Sequence, residues 1–357
     1  MNRIVLTGGG TAGHVTPNIA LFPRLKELNY DISYMGSHDG IEKTLIEELN
    51  IPYYGIDSGK LRRYFDIKNF TDPFRVLKGY HQAKNLLKKL SPDVVFSKGG
   101  FVTVPVVLAA SHLKIPVVIH ESDITPGLAN KICIPAATKV CCNFPDTLKY
   151  LPENKAVLTG SPIRRELLSG NKIKAADLCN FTLNKPVIMV VGGSSGSAIL
   201  NDTLRGILPE LIKEYQIIHL CGKGKADHEF DYLNGYKQFE YADEELCDLF
   251  ALSDLVISRA GANSICELLA LNKPNILIPL SAKASRGDQI LNAASFEAQG
   301  FSYVLPEEEL SNINLLNAIH EVLTNANTYI SKMKENQAID SVEKVVQILE
   351  SVKLTRK

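Results

Sequence analysis

Short runs of Val, Ile and Leu alternate along this chain with longer amphipathic stretches. The runs fall near residues 3–7, 31–35, 93–97, 116–120 and 139–142, and again near 156–159, 186–191, 216–220, 254–258 and 275–279. An unbroken aliphatic run too short for a helix suits a strand covered on both faces. Such strands separated by helix-length segments imply βαβ units and a mostly parallel sheet with helices on either side. The chain is therefore expected to be α/β. The pattern also occurs twice. Ile4-Val5-Leu6 runs into Gly8-Gly9-Gly10-Thr11-Ala12-Gly13-His14, and Val187-Ile188-Met189-Val190-Val191 runs into Gly192-Gly193-Ser194-Ser195-Gly196-Ser197. A second unit repeats as well. Asp93-Val94-Val95-Phe96-Ser97-Lys98-Gly99-Gly100 leads to Pro116-Val117-Val118-Ile119, as Asp254-Leu255-Val256-Ile257-Ser258-Arg259-Ala260-Gly261 leads to Pro274-Asn275-Ile276-Leu277-Ile278. The expectation is two doubly wound, Rossmann-like domains facing one another across a cleft.

Length agrees with this division: 357 residues exceed the roughly 250–300 at which a single core stops growing. The first domain is placed at 1–162 and the second at 163–339, with the junction near Thr159-Gly160-Ser161-Pro162. In the tail, Ile339, Val342, Val346 and Leu349 recur at helical spacing, which predicts a closing helix over 340–357 that packs back on the first domain.

Net charge is zero, which argues against a general nucleic-acid binder, since phosphate binding needs an excess of Lys and Arg. One segment departs from the average: Lys60 to Lys89 holds nine Lys or Arg against two Asp. Seven cysteines without C-x-x-C spacing make neither a disulfide framework nor a zinc knuckle, and a reducing cytosol is the simplest setting. No secretory apolar region and no run of about 18 apolar residues is present, so neither export nor a membrane span is expected.

Gly8-Gly9-Gly10-Thr11-Ala12-Gly13 satisfies G-x-G-x-x-G between a strand and a helix, a pattern that can seat a pyrophosphate on a helix N-terminus. A dinucleotide enzyme would add an acid at the end of the second strand, and here that strand ends in Tyr34-Met35-Gly36-Ser37. A tight turn without a ligand explains the same letters. Gly192-Gly193-Ser194-Ser195-Gly196 also matches the G-x-S-x-G nucleophile elbow, which would require an acid and then a histidine downstream. His219, His228 and His320 lack that context, and a serine in a phosphate-cradling turn is the simpler reading. Ser264-Ile265-Cys266-Glu267 reads as a capping box opening a helix that closes at Asn272-Lys273-Pro274. Glu267 would then hold a backbone N–H, yet it also follows a parallel strand's carboxyl end, where a carboxylate suits ribose hydroxyls. Ser281 to Asn292, with Asp288 and Gln289, offers acceptors for sugar hydroxyls.

Taken together, these loops resemble one family over almost the whole chain. Gly9-Gly10-Thr11-Ala12-Gly13-His14, Gly99-Gly100-Phe101-Val102 and Gly192-Gly193-Ser194-Ser195-Gly196 are similar to its three glycine loops. His120-Glu121, Gly160-Ser161-Pro162-Ile163-Arg164, the Arg259 to Glu267 segment and Asp288-Gln289-Ile290-Leu291-Asn292-Ala293 add to the likeness. The family is that of the MurG GlcNAc transferases, which make the final membrane intermediate of peptidoglycan. The resemblance implies a GT-B glycosyltransferase whose second domain holds UDP-GlcNAc and whose first holds a lipid-linked acceptor. GlcNAc would pass, with inversion, to the 4-hydroxyl of MurNAc on undecaprenyl-diphosphate-MurNAc-pentapeptide. It also implies donor contacts at Arg164, Ser194, Ser264, Asp288 and Gln289, a ribose ligand at Glu267, and a loop near the donor sugar at Thr11, Ala12 and Gly13. The family commonly has Asn where Asp123 stands, so Asp123 is carried over as a sugar contact only with that difference. Other lipid-acceptor glycosyltransferases, a UDP-GlcNAc 2-epimerase of the same shape and a non-catalytic sugar-nucleotide sensor are the alternatives.

Inverting transfer needs a base, a stabilised oxocarbenium-like centre and a neutralised diphosphate. His14, at a helix start, is the candidate catalytic base, since the unperturbed pKa of a histidine, near ~6.5, suits a base at neutral pH. No Asp-x-Asp stands beside a candidate sugar site, so a reaction without metal or cofactor is expected. The basic segment interleaves its cations with Tyr64, Phe65, Phe70, Phe74, Val76, Leu77 and Tyr80, a composition suited to an anionic membrane surface. A peripheral protein on the cytoplasmic face of the cell membrane is the expectation.

Overall fold

The structure is a computed structural model that describes residues 2–59, 68–193, 196–282, 287–336 and 340–355, without the side chains of 68–73. The chain divides into two compact units, Met1–Arg164 with Ile339–Lys357, and Arg165–Ala338. In the first, strands and helices alternate as β1 (Asn2–Thr7), α1 (Thr16–Glu27), β2 (Tyr30–Ser37), α2 (Ile41–Glu47), β3 (Tyr53–Ile56), α3 (Lys68–Leu90), β4 (Val94–Ser97), α4 (Thr103–His112), β5 (Val117–Glu121), α5 (Leu128–Cys133), β6 (Lys139–Cys142) and β7 (Ala156–Leu158). In the second the order is α6 (Lys172–Cys179), β8 (Val187–Val191), α7 (Ala198–Glu214), β9 (Gln216–Leu220), β10 (Tyr236–Phe239), α8 (Leu246–Leu252), β11 (Leu255–Ser258), α9 (Ala262–Ala270), β12 (Asn275–Leu277), α10 (Asp288–Ala298), β13 (Tyr303–Val304), α11 (Asn312–Thr324) and α12 (Ala326–Glu335). The last helix is α13 (Ser341–Val352).

Among the described residues the first unit holds a sheet of order β3-β2-β1-β4-β5-β6-β7 and the second a sheet of order β10-β9-β8-β11-β12-β13. Every pairing is parallel. The internal repeat extends to single atoms. Asp93 accepts from the Arg3 amide at 2.7 Å, and Asp254 accepts from the Val187 amide at 2.8 Å, each fastening the start of a strand to its neighbour. β4 and β11 carry fully buried aliphatic or aromatic side chains on both faces, as their unbroken runs require.

β3, β10 and β13 escape the hydrophobic reading because each lies at a sheet edge, where fewer neighbours cover the strand and tyrosine replaces the aliphatic run. Val342, Val345, Val346 and Leu349 are buried against Ile4, Leu21 and Leu25 of the first unit. Asp340 caps α13 by accepting the Glu343 amide, Glu343 pairs with Arg24 at 2.8 Å, and Tyr30 donates to Glu350. Ile339 lies outside the described residues.

Leu349 is fully buried, so Leu349→Ala should cost about 3 kcal/mol through lost burial and a residual cavity. Urea unfolding checks this; a loss below about 1 kcal/mol would mean that α13 is not part of this core.

Candidate active site

The first glycine loop leaves β1 where the chain has no room for side chains. A Cβ on Gly8 would stand 2.3 Å from the His14 carbonyl oxygen. Gly9 donates to the Gly99 carbonyl at 3.3 Å, and a Cβ on Gly100, at φ +91°, would lie 2.2 Å from the Gly9 oxygen. The first and second glycine loops therefore meet backbone to backbone. Ala12–His14 form a single 3-10 turn ahead of α1. Thr11 is exposed while Ala12, Gly13 and His14 are half-buried, and Thr11 Oγ1 lies 3.1 Å from His14 Nδ1. A Cβ on Gly99 would come within 3.6 Å of His14 Cδ2, so the second loop borders the imidazole.

Buried polar groups support these loops. Lys98 Nζ lies 2.7 Å from His120 Nδ1, and His120 Nε2 lies 2.9 Å from the Gly160 carbonyl. Burial first, and the Lys98 ammonium second, hold the His120 pKa well below the ordinary histidine value. A neutral imidazole that accepts from Lys98 and donates Nε2–H to Gly160 satisfies both contacts. Glu121 accepts from the amides of Ser122, Asp123 and Gly127 and from Asn130 at 2.8–3.0 Å, while burial raises its pKa. Asp123 is half-buried on this loop, and its carbonyl accepts from Thr147 at 3.3 Å. Arg164, also half-buried, is the last residue of the first unit's leading segment, before the chain passes into the second.

In the second unit the third glycine loop turns through Gly193 at φ +87° and Gly196 at φ +65°, and Gly196 donates to the Gly193 carbonyl at 2.9 Å. Ser194 falls outside the described residues. Ser197 caps α7 by accepting the Leu200 amide and also receives Arg259 Nη2 at 2.6 Å. Arg259 is 7% exposed; it pairs with Glu307 at 2.5 Å and donates to the Ile278 carbonyl at 3.1 Å. One guanidinium thus ties together the carboxyl ends of β11 and β12 and the start of α7. Sequence reasoning missed Glu307, since Glu307-Glu308-Glu309 reads as a solvated turn.

The expected capping box is not formed. The α9 helix starts at Ala262 on Gly261, whose extended backbone (φ −66°, ψ 135°) serves as cap and whose carbonyl accepts the Ile265 amide at 3.1 Å. Glycine reaches that geometry without a capping side chain, so the helix begins before Ser264. Ser264 and Glu267 fall one turn apart on one helix face, the first exposed and the second half-buried. Gln289 Oε1 accepts the Leu280 amide at 3.0 Å, and the buried Asn292 donates to the Ala260 carbonyl at 3.4 Å. These bonds fasten α10 to the ends of β12 and β11, with Asp288 half-buried in its first turn. Ser264, Glu267, Asp288 and Gln289 therefore gather at the carboxyl edge of the second sheet. Thr11, Ala12, Gly13, His14, Asp123 and Arg164 belong to the first unit.

The nucleophile-elbow alternative loses its histidines. His219 lies inside β9, bonded to Tyr236 and Asn201 at 2.8 and 3.0 Å; His228 pairs with Asp231, and His320 lies 3.1 Å from Thr324. No group of three His, Cys, Asp or Glu side chains comes together as a metal set among the described residues.

Residues 4–142 match the glycosyltransferase family 28 N-terminal domain, and residues 187–349 match the glycosyltransferase family 28 C-terminal domain. The chain belongs to glycosyltransferase family 28. A relative in Lachnoclostridium phytofermentans, named UDP-N-acetylglucosamine--N-acetylmuramyl-(pentapeptide) pyrophosphoryl-undecaprenol N-acetylglucosamine transferase, is 66% identical over 354 residues, 99% of this chain and 100% of the relative. A relative of the same name in Lachnospira eligens is 64% identical over 98% of this chain and 99% of its own length. Among solved structures, Acinetobacter baumannii MurG matches with a TM-score of 0.77 at 25% identity, covering 98% of this chain and 100% of that one. A Neisseria meningitidis UDP-GlcNAc 2-epimerase matches with a TM-score of 0.65 at 15% identity, covering 98% and 100%, a likeness of fold alone. The two Rossmann-like units of this family 28 chain are those of the GT-B architecture.

Burial lowers the His219 pKa to about 3. The unfolded chain, with a histidine pKa near ~6.5, takes up a proton that the folded chain refuses, so this contribution is lost as pH falls from about 6.5 toward 3. Between pH 7 and 5, wild type should lose about 2 kcal/mol more stability than His219→Gln. Urea unfolding of both proteins at the two pH values measures the difference, and equal losses would show that His219 protonates in place.

Proposed function

We infer that this chain transfers GlcNAc from UDP-GlcNAc to the 4-hydroxyl of MurNAc in undecaprenyl-diphosphate-MurNAc-pentapeptide, with inversion, as a step of peptidoglycan synthesis. The observation that carries this reading is the 66% identity, over 99% of the chain, to a relative named for that transfer. The epimerase alternative has only the shared fold in its favour.

On this reading His14 is the catalytic base. With Nδ1–H donating to Thr11 Oγ1, the Nε2 lone pair takes the proton of the acceptor hydroxyl as the sugar bond forms and UDP leaves. The donor is held mainly from the second unit. Glu267 takes the ribose hydroxyls, and Asp288 and Gln289 take hydroxyls of the GlcNAc ring. Ser194 and Ser264 add contacts there, while Arg164 and the loop of Thr11, Ala12 and Gly13 add theirs from the first unit. The starts of α7, α9 and α10 at the carboxyl edge of the second sheet direct their positive dipole ends toward that edge, which suits a diphosphate gaining charge.

The expected assay result is UDP release only when the lipid-linked muramyl acceptor is present; release with UDP-GlcNAc alone would sink the reading. His14→Ala should lower kcat by about 10²–10⁴-fold while leaving the calorimetric dissociation constant of UDP-GlcNAc within twofold of wild type. Full activity in that variant would remove the base assignment.

We also propose that α3 rests on an anionic membrane surface at the cytoplasmic face. No helix of the described residues is long and apolar enough to cross a membrane. Phe74 and Leu77 are 74% and 55% exposed beside the exposed Arg75 and Lys78, large apolar side chains set among cations. Lys78 already pairs with Asp57 at 2.9 Å, so Arg75 is the stronger contributor, at about 1 kcal/mol. Residues 60–67, with Tyr64 and Phe65, and the Phe70 side chain lie outside the description. Phe74→Ser with Leu77→Ser should reduce co-sedimentation with phosphatidylserine or phosphatidylglycerol vesicles several-fold and leave the melting temperature unchanged. Undiminished binding would sink this surface.

A further inference from the structure

The first glycine loop is shaped around a carboxylate that lies outside it in sequence. Glu42, the second residue of α2, is fully buried. Its Oε2 accepts the Gly10 amide at 3.1 Å, and its Oε1 accepts the Ser37 amide at 3.0 Å and the Ser37 hydroxyl at 2.5 Å. All three partners are donors, so the site is built for an ionised acceptor, and a carboxamide would set one donor against another. The space around it is equally particular. A Cβ on Gly9 would stand 2.4 Å from Oε1, one on Gly40 2.3 Å from it, and one on Gly36 2.8 Å from Cγ. Glycines from the loop, from β2 and from the turn before α2 leave room for this side chain, and those at 36 and 40 also for the Tyr53 and Ser37 hydroxyls.

Amides of a glycine loop at a strand end ordinarily stand ready for a ligand's phosphate. In this chain the Gly10 amide is already taken by an internal anion. We propose that Glu42 is the positioning residue of the transfer reaction: it pins the Gly8–Gly10 loop and thereby sets the turn that carries Thr11 and His14. The inference rests on the reading of His14 as base. Neutral contacts assist from the other side, since Tyr34 donates to the Gly8 carbonyl and Asn18 donates to the Tyr34 hydroxyl, both at 2.9 Å. The charged anchor sits at Gly10, beyond the neutral ties of Tyr34 on Gly8 and Gly9 on Gly99. A base displaced by about 1 Å can cost about 10²-fold in rate, so the anchor acts on kcat far more than on donor binding, most of whose proposed contacts lie in the other unit.

The test uses the full chain as wild type, Glu42→Gln, Glu42→Ala and His14→Ala, with transfer kinetics, UDP-GlcNAc calorimetry and melting temperature measured on each. Glu42→Gln should lower kcat about 10–100-fold with the donor dissociation constant within twofold of wild type. In Glu42→Ala, sodium formate should restore rate several-fold against a sodium chloride control and leave wild type unaffected. Full kcat in Glu42→Gln, an equal weakening of donor binding, or a folded Glu42→Ala that formate does not rescue would each overturn the inference; if Glu42→Ala does not fold, the glutamine variant decides. A wild type without transfer, or a fully active His14→Ala, instead removes the reading of the reaction and this inference with it. An active wild type, an impaired His14→Ala and a full-rate Glu42→Gln remove the positioning role alone.

Discussion

Parallel pairing sends every strand of a sheet out at the same edge, and the crowding there governs the rest of this structure. Where β1 and β4 end, successive loops approach so closely that backbone meets backbone: Gly9 donates to Gly99, and any Cβ on Gly100 would collide with the Gly9 carbonyl. Side chains cannot fill such a space, so the loops are glycine and their shapes must be held from beneath. Glu42, His120 and Glu121 do this in the first unit, and Arg259 with Glu307 does it in the second. Each is buried or nearly so, and each lies within a few residues of a strand's carboxyl end or reaches back to one.

Buried charge of this kind costs several kcal/mol unless its partners are complete. Glu121 meets the condition with three backbone amides and a carboxamide, and Glu42 with two amides and a hydroxyl. Such arrangements are weak sources of stability and strong sources of specific shape, because any other loop conformation would leave the charge unpaired. The opposite edge of each sheet shows the contrast. There Asp93 and Asp254 make the same contact in both units, a plain fastening of neighbouring strands. The two halves remain alike where no ligand is expected and diverge where the loops lie.

Interior strands were legible because burial on both faces demands aliphatic side chains throughout. β3, β10 and β13 were not, since an edge strand tolerates tyrosine and polar residues. The start of α9 was misread for a different reason: Ser264 and Glu267 have capping-box spacing, but Gly261 adopts the capping backbone earlier in the chain and the helix forms ahead of them. Glu42 was invisible because an acid in the first turn of an amphipathic helix is ordinarily solvent-facing. Only the three-dimensional approach of Gly9, Gly36 and Gly40 shows that it points inward. Glycines at 9, 36 and 40 were each visible in the sequence, yet nothing in one-dimensional spacing says that they surround the same carboxylate.

The duplicated loops can then be compared by the sign of the group that supports each. Beneath the first lies a carboxylate, and on the proposed reading the loop carries the group that becomes cationic when it takes a proton. Behind the third lies a guanidinium, balanced by Glu307, whose contact with Ser197 has a local consequence. The Ser197 oxygen receives both Arg259 Nη2 and the Leu200 amide, which leaves its own hydroxyl hydrogen as the group's donor. A donor at that place, with the α7 amides behind it, favours an anion. One backbone design, a strand running into a glycine turn and then a helix, is thereby biased toward positive charge in one unit and negative charge in the other. That difference is what a transfer reaction needs from two similar halves, because the proton leaves the acceptor as the diphosphate leaves the donor.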